Sequence, residues 1–240
     1  MSCKNRIETV DVVGSLVAAI DTTITIDSVV DNGGSYTVTT CNTKYLRPRS
    51  SFIHDGITYT VIDTVGNEFV HNESFTVTGA SIVTGTVITL DPMKYYHGTV
   101  IATSVELDKE KIDTNKFPMV YLLEVIQDRF NNLEEERIDR VSDFKLFFLV
   151  NTDEENWKTD DHYKEAIKPM RNMVYQFIDE LNENQNIGEF NNFTAINHAK
   201  FGVYISDKGH TRRIFNDKTS GVEVRLDLPI IASQLCLTCN

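Results

Sequence analysis

Between residues 22 and 105 apolar and polar positions alternate one by one, as in Thr23-Ile24-Thr25-Ile26-Asp27 and Ser35-Tyr36-Thr37-Val38-Thr39. A two-residue period puts every second side chain on the same face of an extended chain, so each such run predicts a half-buried strand. Threonine, valine and isoleucine dominate these positions, and branched side chains lose little freedom in an extended backbone and pack well on a pleated face. Turn residues cut the pattern at Asp31-Asn32-Gly33-Gly34, Asp55-Gly56, Gly66-Asn67 and Thr84-Gly85. Short strands at this spacing predict a small all-β domain over residues 22–108, a sandwich or a barrel. Within it, His54-Asp55-Gly56-Ile57 running into Thr58-Tyr59-Thr60-Val61 predicts a hairpin.

Other periods flank this region. Upstream, Ile7, Val10, Val13, Val17 and Ile20 recur at near-helical spacing. They predict a short helix from about Arg6 to Ile20 within an N-terminal segment 1–21, weakened by Val12, Val13 and Gly14. Downstream, Lys109-Glu110-Lys111-Ile112-Asp113-Thr114-Asn115-Lys116 mixes charges and has no period, which predicts a linker over 109–116. Pro118 suits the first turn of a helix, and Leu122, Ile126, Phe130 and Leu133 would form its apolar stripe. The run Asp143-Phe144-Lys145-Leu146-Phe147-Phe148-Leu149-Val150 predicts a buried strand. From about Asp160 to Asn184, Tyr163, Ile167, Met170, Val174, Phe177 and Leu181 share one helical face. Pro169 interrupts it and predicts a kink, or a second helix opening there. Strands over Lys200–Ser206, Arg212–Phe215 and Val222–Leu228 close the chain, with turns at Asp207-Lys208-Gly209 and residues 216–221. Helix, strand, helix and then antiparallel strands is an α+β order for a C-terminal domain over 117–240.

Hydrophobic content of 41% and charged content of 24% in 240 residues are ordinary for a globular chain. No run approaches the roughly 18 apolar residues of a membrane-spanning helix. Glu8 and Asp11 interrupt the apolar part of the N-terminus, which argues against a signal peptide and for folding in a cytoplasm. The sequons at Asn72 and Asn192 then carry no meaning. The net charge is −12 and both halves share it: 13 acidic and 8 basic residues up to position 112, 22 and 15 beyond. An acidic surface repels phosphate backbones, so electrostatic nucleic-acid binding is disfavoured. The basic pairs Arg47/Arg49 and Arg212/Arg213 sit in acidic surroundings and read as solvated or interface groups. Cys236-Leu237-Thr238-Cys239 has no second pair to complete a zinc site, and it lies too near the chain end for a thioredoxin-like motif. Together with Cys3 and Cys41 these cysteines read as reduced, structural thiols.

Phosphate-binding, dinucleotide-binding, nucleophile-elbow and His-Glu-x-x-His motifs do not occur. The densest polar cluster is Thr159-Asp160-Asp161-His162-Tyr163-Lys164, where two carboxylates beside a histidine have the chemistry for a metal or acid/base site. Asp160 and Asp161 also fall where a helix begins, and acidic groups there favour the positive end of its dipole. Glu134-Glu135-Glu136 reads as a solvated face. Tyr95-Tyr96-His97-Gly98 reads as core leading into a turn rather than as a pocket. His198 and His210 stand alone beside strands, and Trp157 reads as a core or subunit-contact anchor. No catalytic, cofactor-binding or metal-binding residue is expected, and the chain is not expected to be an enzyme.

Several segments resemble head-to-tail connector proteins (neck ring or tail-completion proteins) of crAss-like bacteriophages. They are Thr40-Cys41-Asn42-Thr43-Lys44-Tyr45-Leu46, Asp55-Gly56-Ile57-Thr58-Tyr59-Thr60-Val61 and Tyr95-Tyr96-His97-Gly98-Thr99-Val100-Ile101-Ala102-Thr103. Lys116-Phe117-Pro118-Met119-Val120-Tyr121-Leu122-Leu123-Glu124, Asp143-Phe144-Lys145-Leu146-Phe147-Phe148-Leu149 and Trp157-Lys158-Thr159-Asp160-Asp161-His162-Tyr163-Lys164 complete the set. The expected order of C-terminal elements is also similar to that of tail-terminator proteins. The resemblance implies a structural virion protein in the phage neck or tail, assembled in the bacterial host cytoplasm as a closed ring of commonly about twelve copies. Such a ring joins portal to tail, binds neighbouring ring, muzzle or fibre proteins, and lets the genome pass without specific binding. Two other classes compete. An attachment or adaptor module, docking fibres or binding a carbohydrate, would present a concave aromatic surface on the β-domain. An enzyme would need Asp160, Asp161 and His162 to converge on one pocket.

Overall fold

The computed structural model describes residues 8–66, 73–110, 116–130, 138–153, 156–190, 192–205, 211–213 and 215–231. The fold is mixed α+β and mostly β. The alternating N-terminal region forms six antiparallel strands: β1 (Thr23–Asp31), β2 (Tyr36–Thr40), β3 (Ser51–His54), β4 (Ile57–Gly66), β5 (Glu73–Thr78) and β6 (Val87–Thr89). Their spatial order is β3-β4-β5-β2-β1-β6. Register shifts interrupt the β1–β2 pair between Ile26 and Ser28 and the β4–β5 pair between Val61 and Asp63. An extra residue on one strand increases local twist. The sheet curls almost into a barrel around Ile24, Val38, Phe75, Val77 and Ile88. Asp55 and Gly56, with φ of 51° and 75°, make the β3–β4 hairpin turn that the Asp-Gly pair predicts.

A second, five-stranded sheet has the order β10-β13-β9-β8-β7. Its members are β7 (Lys94–Gly98), β8 (Met119–Phe130), β9 (Ile138–Asn151), β10 (Phe193–Phe201) and β13 (Thr219–Ile231). Among the described residues the short strands β11 (Val203–Ile205) and β12 (Thr211–Arg213) pair only with each other. Helices cover both faces. Helix α1 (Thr9–Ala19) and helix α4 (Lys168–Glu183) pack on Val120, Leu122, Leu146, Phe148, Val222 and Val224. Helix α2 (Val100–Lys109) places Leu107 on the opposite face, with Met119, Tyr121, Phe147, Leu149 and Phe215. Strand residues of odd and even number therefore enter different cores, which explains why β9 reads as a nearly continuous apolar run. Gly221 lies where β13 crosses the backbone of Phe148: a Cβ there would sit 1.9 Å from the Phe148 carbonyl oxygen.

The helix expected to open at Pro118 is instead strand β8. Leu122, Ile126 and Phe130 recur every four residues, and an even spacing lines up on one face of a strand as well as of a helix. Pairing with β7 on one side and β9 on the other decides between them. Residues 94–108, read as the end of the β-domain, and Lys109, read as the first linker residue, belong to the second unit as β7 and α2. Thr99 caps α2 by accepting from the Ala102 amide at 3.3 Å. The expected N-terminal helix is α1, and its buried Val12, Val13, Leu16 and Val17 join the second core. The core of the six-stranded sheet takes in residues 24–90, so the division at 108/109 does not coincide with the packing. Lys116, placed in a linker by its sequence, is buried; residues 111–115 lie outside the described residues. Strand β10 begins seven residues before the strand read at Lys200.

The interruption at Pro169 takes a definite form. A one-turn helix α3 (Thr159–His162) leads into a π-helical turn, Tyr163–Ile167, and α4 then opens with Pro169 in its first turn. A proline has no N–H to donate there, so the widened turn passes into α4 without a missing bond. Phe177 of α4 is fully buried and meets Phe148 of β9 edge-on at 5.6 Å. Phe177→Ala is expected to cost about 3–5 kcal/mol of unfolding free energy, read from the midpoint of a urea transition. A loss below about 1 kcal/mol would contradict the packing described.

Candidate functional site at the seam between the two units

The loop from Thr43 to Ser50 leaves the curled sheet and lies against the second unit. Arg47 donates from Nη1 to the Asn151 carbonyl at 2.9 Å and from Nη2 to the Asn151 side-chain oxygen. Tyr45 packs against both cores, and its hydroxyl donates to the Asp91 carbonyl. Burial, aided by the nearby Asp91 carboxylate, pushes the Tyr45 hydroxyl pKa above its ordinary value. Glu73 of β5 accepts from the Thr43 amide at 2.8 Å and hydroxyl at 2.6 Å, while its other oxygen lies 3.8 Å from Lys168 Nζ of α4. One carboxylate thus ties its own loop to a helix of the other unit.

Two clefts flank this seam. The larger, about 410 Å³, is bordered by Tyr45, Arg49, Phe52 and Thr58 on one side and by Lys94, Phe117 and Asn151 on the other. Its aromatic rings are engaged within the chain: Phe52 stacks on Tyr59 at 5.2 Å, Tyr45 is bound as described and Phe117 is buried in the core under α2. The smaller cleft, about 310 Å³, lies between Asp63 and Val65 of β4 and Tyr163, Lys164 and Lys168.

The polar cluster at residues 159–164 divides between surface and core. Asp160 is exposed, and Asp161 accepts from the Lys158 amide at 2.8 Å, closing the first turn of α3. The His162 ring points inward, edge-on to Trp157 at 5.4 Å, with Nδ1 3.2 Å from the buried Ser220 hydroxyl. The three side chains do not meet in a pocket. Trp157 packs against the larger core. Tyr95 and Tyr96 go to opposite faces of β7: Tyr95 donates to the Val10 carbonyl of α1 at 3.0 Å, whereas Tyr96 joins the cluster under α2. Arg213 is exposed on β12, and Cys41 is an exposed free thiol. Cys3, Asn72, Glu134, Glu135, Glu136, His210, Cys236 and Cys239 lie outside the described residues. Among the described residues no group of three His, Cys, Asp or Glu side chains is placed to hold a metal ion.

His198 is not solitary. Its Nε2 lies 2.8 Å from Oε2 of Glu223, whose other oxygen accepts from Arg225 Nε at 2.6 Å. Burial works to raise the Glu223 pKa, but the hydrogen bonds and charges of Arg225 and His198 outweigh it and hold the group below the ordinary value. Residues 223 and 225 are two apart on a strand, so their common face was readable from the sequence; the cross-strand histidine was not. Two further locks escaped sequence reasoning for the same reason of distance along the chain. Lys116 Nζ sits 3.0 Å from both oxygens of Asp217. Arg140, 2% exposed, approaches Asp128 at 3.6 Å and the Thr9 hydroxyl at 3.4 Å, joining α1 to the β8–β9 pair.

No protein-family model, curated protein or solved structure matches the chain. No helix among the described residues is long and apolar enough to cross a membrane.

Glu165, in the π-helical turn beside the seam, has a buried Oε2 without a hydrogen-bond partner among the described residues. Burial raises its pKa above 4.5; Arg49 and Arg47 oppose the shift, and Asp161 and Asp63 reinforce it. A carboxyl with a raised folded-state pKa favours folding when protonated. That contribution is lost as pH rises from the ordinary carboxylate value through the raised one. Glu165→Gln is therefore expected to match the wild type in thermal melts near about pH 4 and to exceed it near about pH 8. Equal melting temperatures at both pH values would show that Glu165 is solvated instead.

Proposed function

We propose that this chain is a structural subunit of a bacteriophage neck or tail, a non-enzymatic protein that assembles as a closed ring between portal and tail. The observation that carries the reading is how the polar side chains are used. Arg47, Glu73, Lys116, Arg140 and Glu223 hold loops, helices and strands to one another rather than converging on a reactive centre. At the same time Ile53, Val65, Ile101, Val105, Val125 and Tyr175 remain exposed. A chain tied together internally in this way, with apolar groups outside, suits a protein whose partners are other proteins. The likeness to connector proteins of crAss-like phages points the same way; the likeness to tail-terminator proteins lends no such support, because the helix that opened its order of elements is strand β8. A chain of net charge −12 also suits a conduit through which DNA passes without sticking. Ring copies, portal and further ring, muzzle or fibre proteins are the partners this reading requires, and the assembled virion is its location.

The attachment-module reading needs aromatic rings open to a ligand, and beside the 410 Å³ cleft Phe52 is stacked, Tyr45 hydrogen-bonded and Phe117 buried in the core under α2. The mass of the purified chain in solution, with negative-stain images of each eluted species, tests the ring reading. Closed rings are expected, either spontaneously or once portal is added. A stable monomer or trimer that ignores portal and binds a glycan or fibre would overturn it.

A further inference from the structure

The two sides of the second unit differ in a way that suits head-to-tail contact between copies, a point that rests on the ring reading above. Helix α2 packs through Leu107 and turns Ile101 (77% exposed) and Val105 (52% exposed) to solvent, one helical turn apart. Beside them stand Glu106 and Glu110, and Asp108 is held by Asn216. Lys109 is the helix's one cation, so its exposed side is net acidic. A valine and an isoleucine this exposed at i and i+4 make an apolar ridge that nothing within the chain covers among the described residues.

The 310 Å³ cleft is its counterpart. Val65 (57% exposed) and Tyr163 (45% exposed) form apolar walls, and Lys164 and Lys168 line it with positive charge. Asp63 also borders it, and Lys168 leans toward Glu73 at 3.8 Å, which leaves Lys164 as the outermost cation. The ridge and the cleft lie on opposite sides of one sheet. Leu107 of α2 packs with Met119 and Tyr121, while Ala166, Ile167 and Met170 pack with Val120 and Leu122. Alternate residues of β8 point to opposite faces, so a copy cannot seat its own ridge in its own cleft.

We propose that the α2 ridge of one copy inserts into the cleft between the curled sheet and the π-helical turn of the next. Ile101 and Val105 then meet Val65 and Tyr163, and Glu106 faces Lys164. The occupant is a second copy of this chain because ridge and cleft complement each other in shape class and charge, and both belong to the same subunit. Two different surfaces meeting in this way make a heterologous contact, which repeats around an axis and closes when the rotation allows. An amphipathic helix docking by residues one turn apart is an established recognition mode.

Zero-length carbodiimide coupling of a one-to-one mixture of ordinary and ¹⁵N-labelled full-length chain tests this. Mixed-isotope peptides joining Glu106 or Glu110 to Lys164 or Lys168 are expected. Ile101→Asp with Val105→Asp should weaken self-association by about tenfold or more while leaving the circular dichroism melt unchanged, since both side chains are exposed. Glu106→Lys and Lys164→Glu should each weaken association, and the double exchange should restore it. Rings that form undiminished in the Ile101→Asp, Val105→Asp variant, or couplings confined to other surfaces, overturn this contact and leave the ring reading standing. A wild-type chain that stays monomeric at high concentration, with and without portal, overturns both.

Discussion

The antiparallel pairing of β9 with β13 is the constraint on which the second unit depends. It runs from Ile138 opposite Ile231 to Asn151 opposite Thr219, the longest ladder in the fold, and both strands are interior to their sheet. At its Leu146–Val150 end both faces are buried, so the backbone N–H and C=O groups there must be satisfied between β9, β13 and their outer neighbours β8 and β10. Apolar side chains must then leave on both sides, and each side requires its own cover. Helices α1 and α4 meet one requirement; α2, Phe117 and Phe215 meet the other. Gly221 belongs to the same constraint, since its missing side chain is what lets the two backbones approach.

Covering a sheet on both sides recruits segments from distant parts of the chain. Thr9 reaches the Ser142 hydroxyl at 2.9 Å, Lys116 reaches Asp217, and Arg47 reaches Asn151. Charged groups are rarely fully buried without a partner, and these contacts satisfy groups that packing would otherwise strand. Among the described residues, apolar groups left outside this packing include Ile101 and Val105 on α2 and Val65 beside the seam.

How far the polar clusters could be read depended on the distance between their members. Asp160, Asp161 and His162 are adjacent in sequence, which invited a common role, yet helical geometry sends successive side chains in different directions around the axis. His198, Glu223 and Arg225 form a close cluster, but only the latter two share a local period. His198 arrives through the pairing of β10 with β13, which places Gly221 opposite it and Glu223 within reach. Lys116 looked like linker because its neighbours are polar. Its burial follows from the strand it introduces and from a loop a hundred residues away.

By itself the sequence determined the local elements whose signals are local. The alternating threonine-rich strands, the Asp55-Gly56 hairpin, the helix around Val13, the apolar run of β9 and the restart of a helix at Pro169 all rest on period or on backbone chemistry within a few residues. Only the tertiary structure decided where periods were ambiguous. Leu122, Ile126 and Phe130 fit one face of a helix or of a strand, and pairing with β7 and β9 made them strand. Val100 to Lys109 carries branched residues that suit extended chain, yet it becomes a helix because the crossover between parallel strands must cover an apolar sheet face with Leu107. Which unit α1 and β7 join was likewise decided by the cores, because burial is shared between segments far apart and no single segment records it.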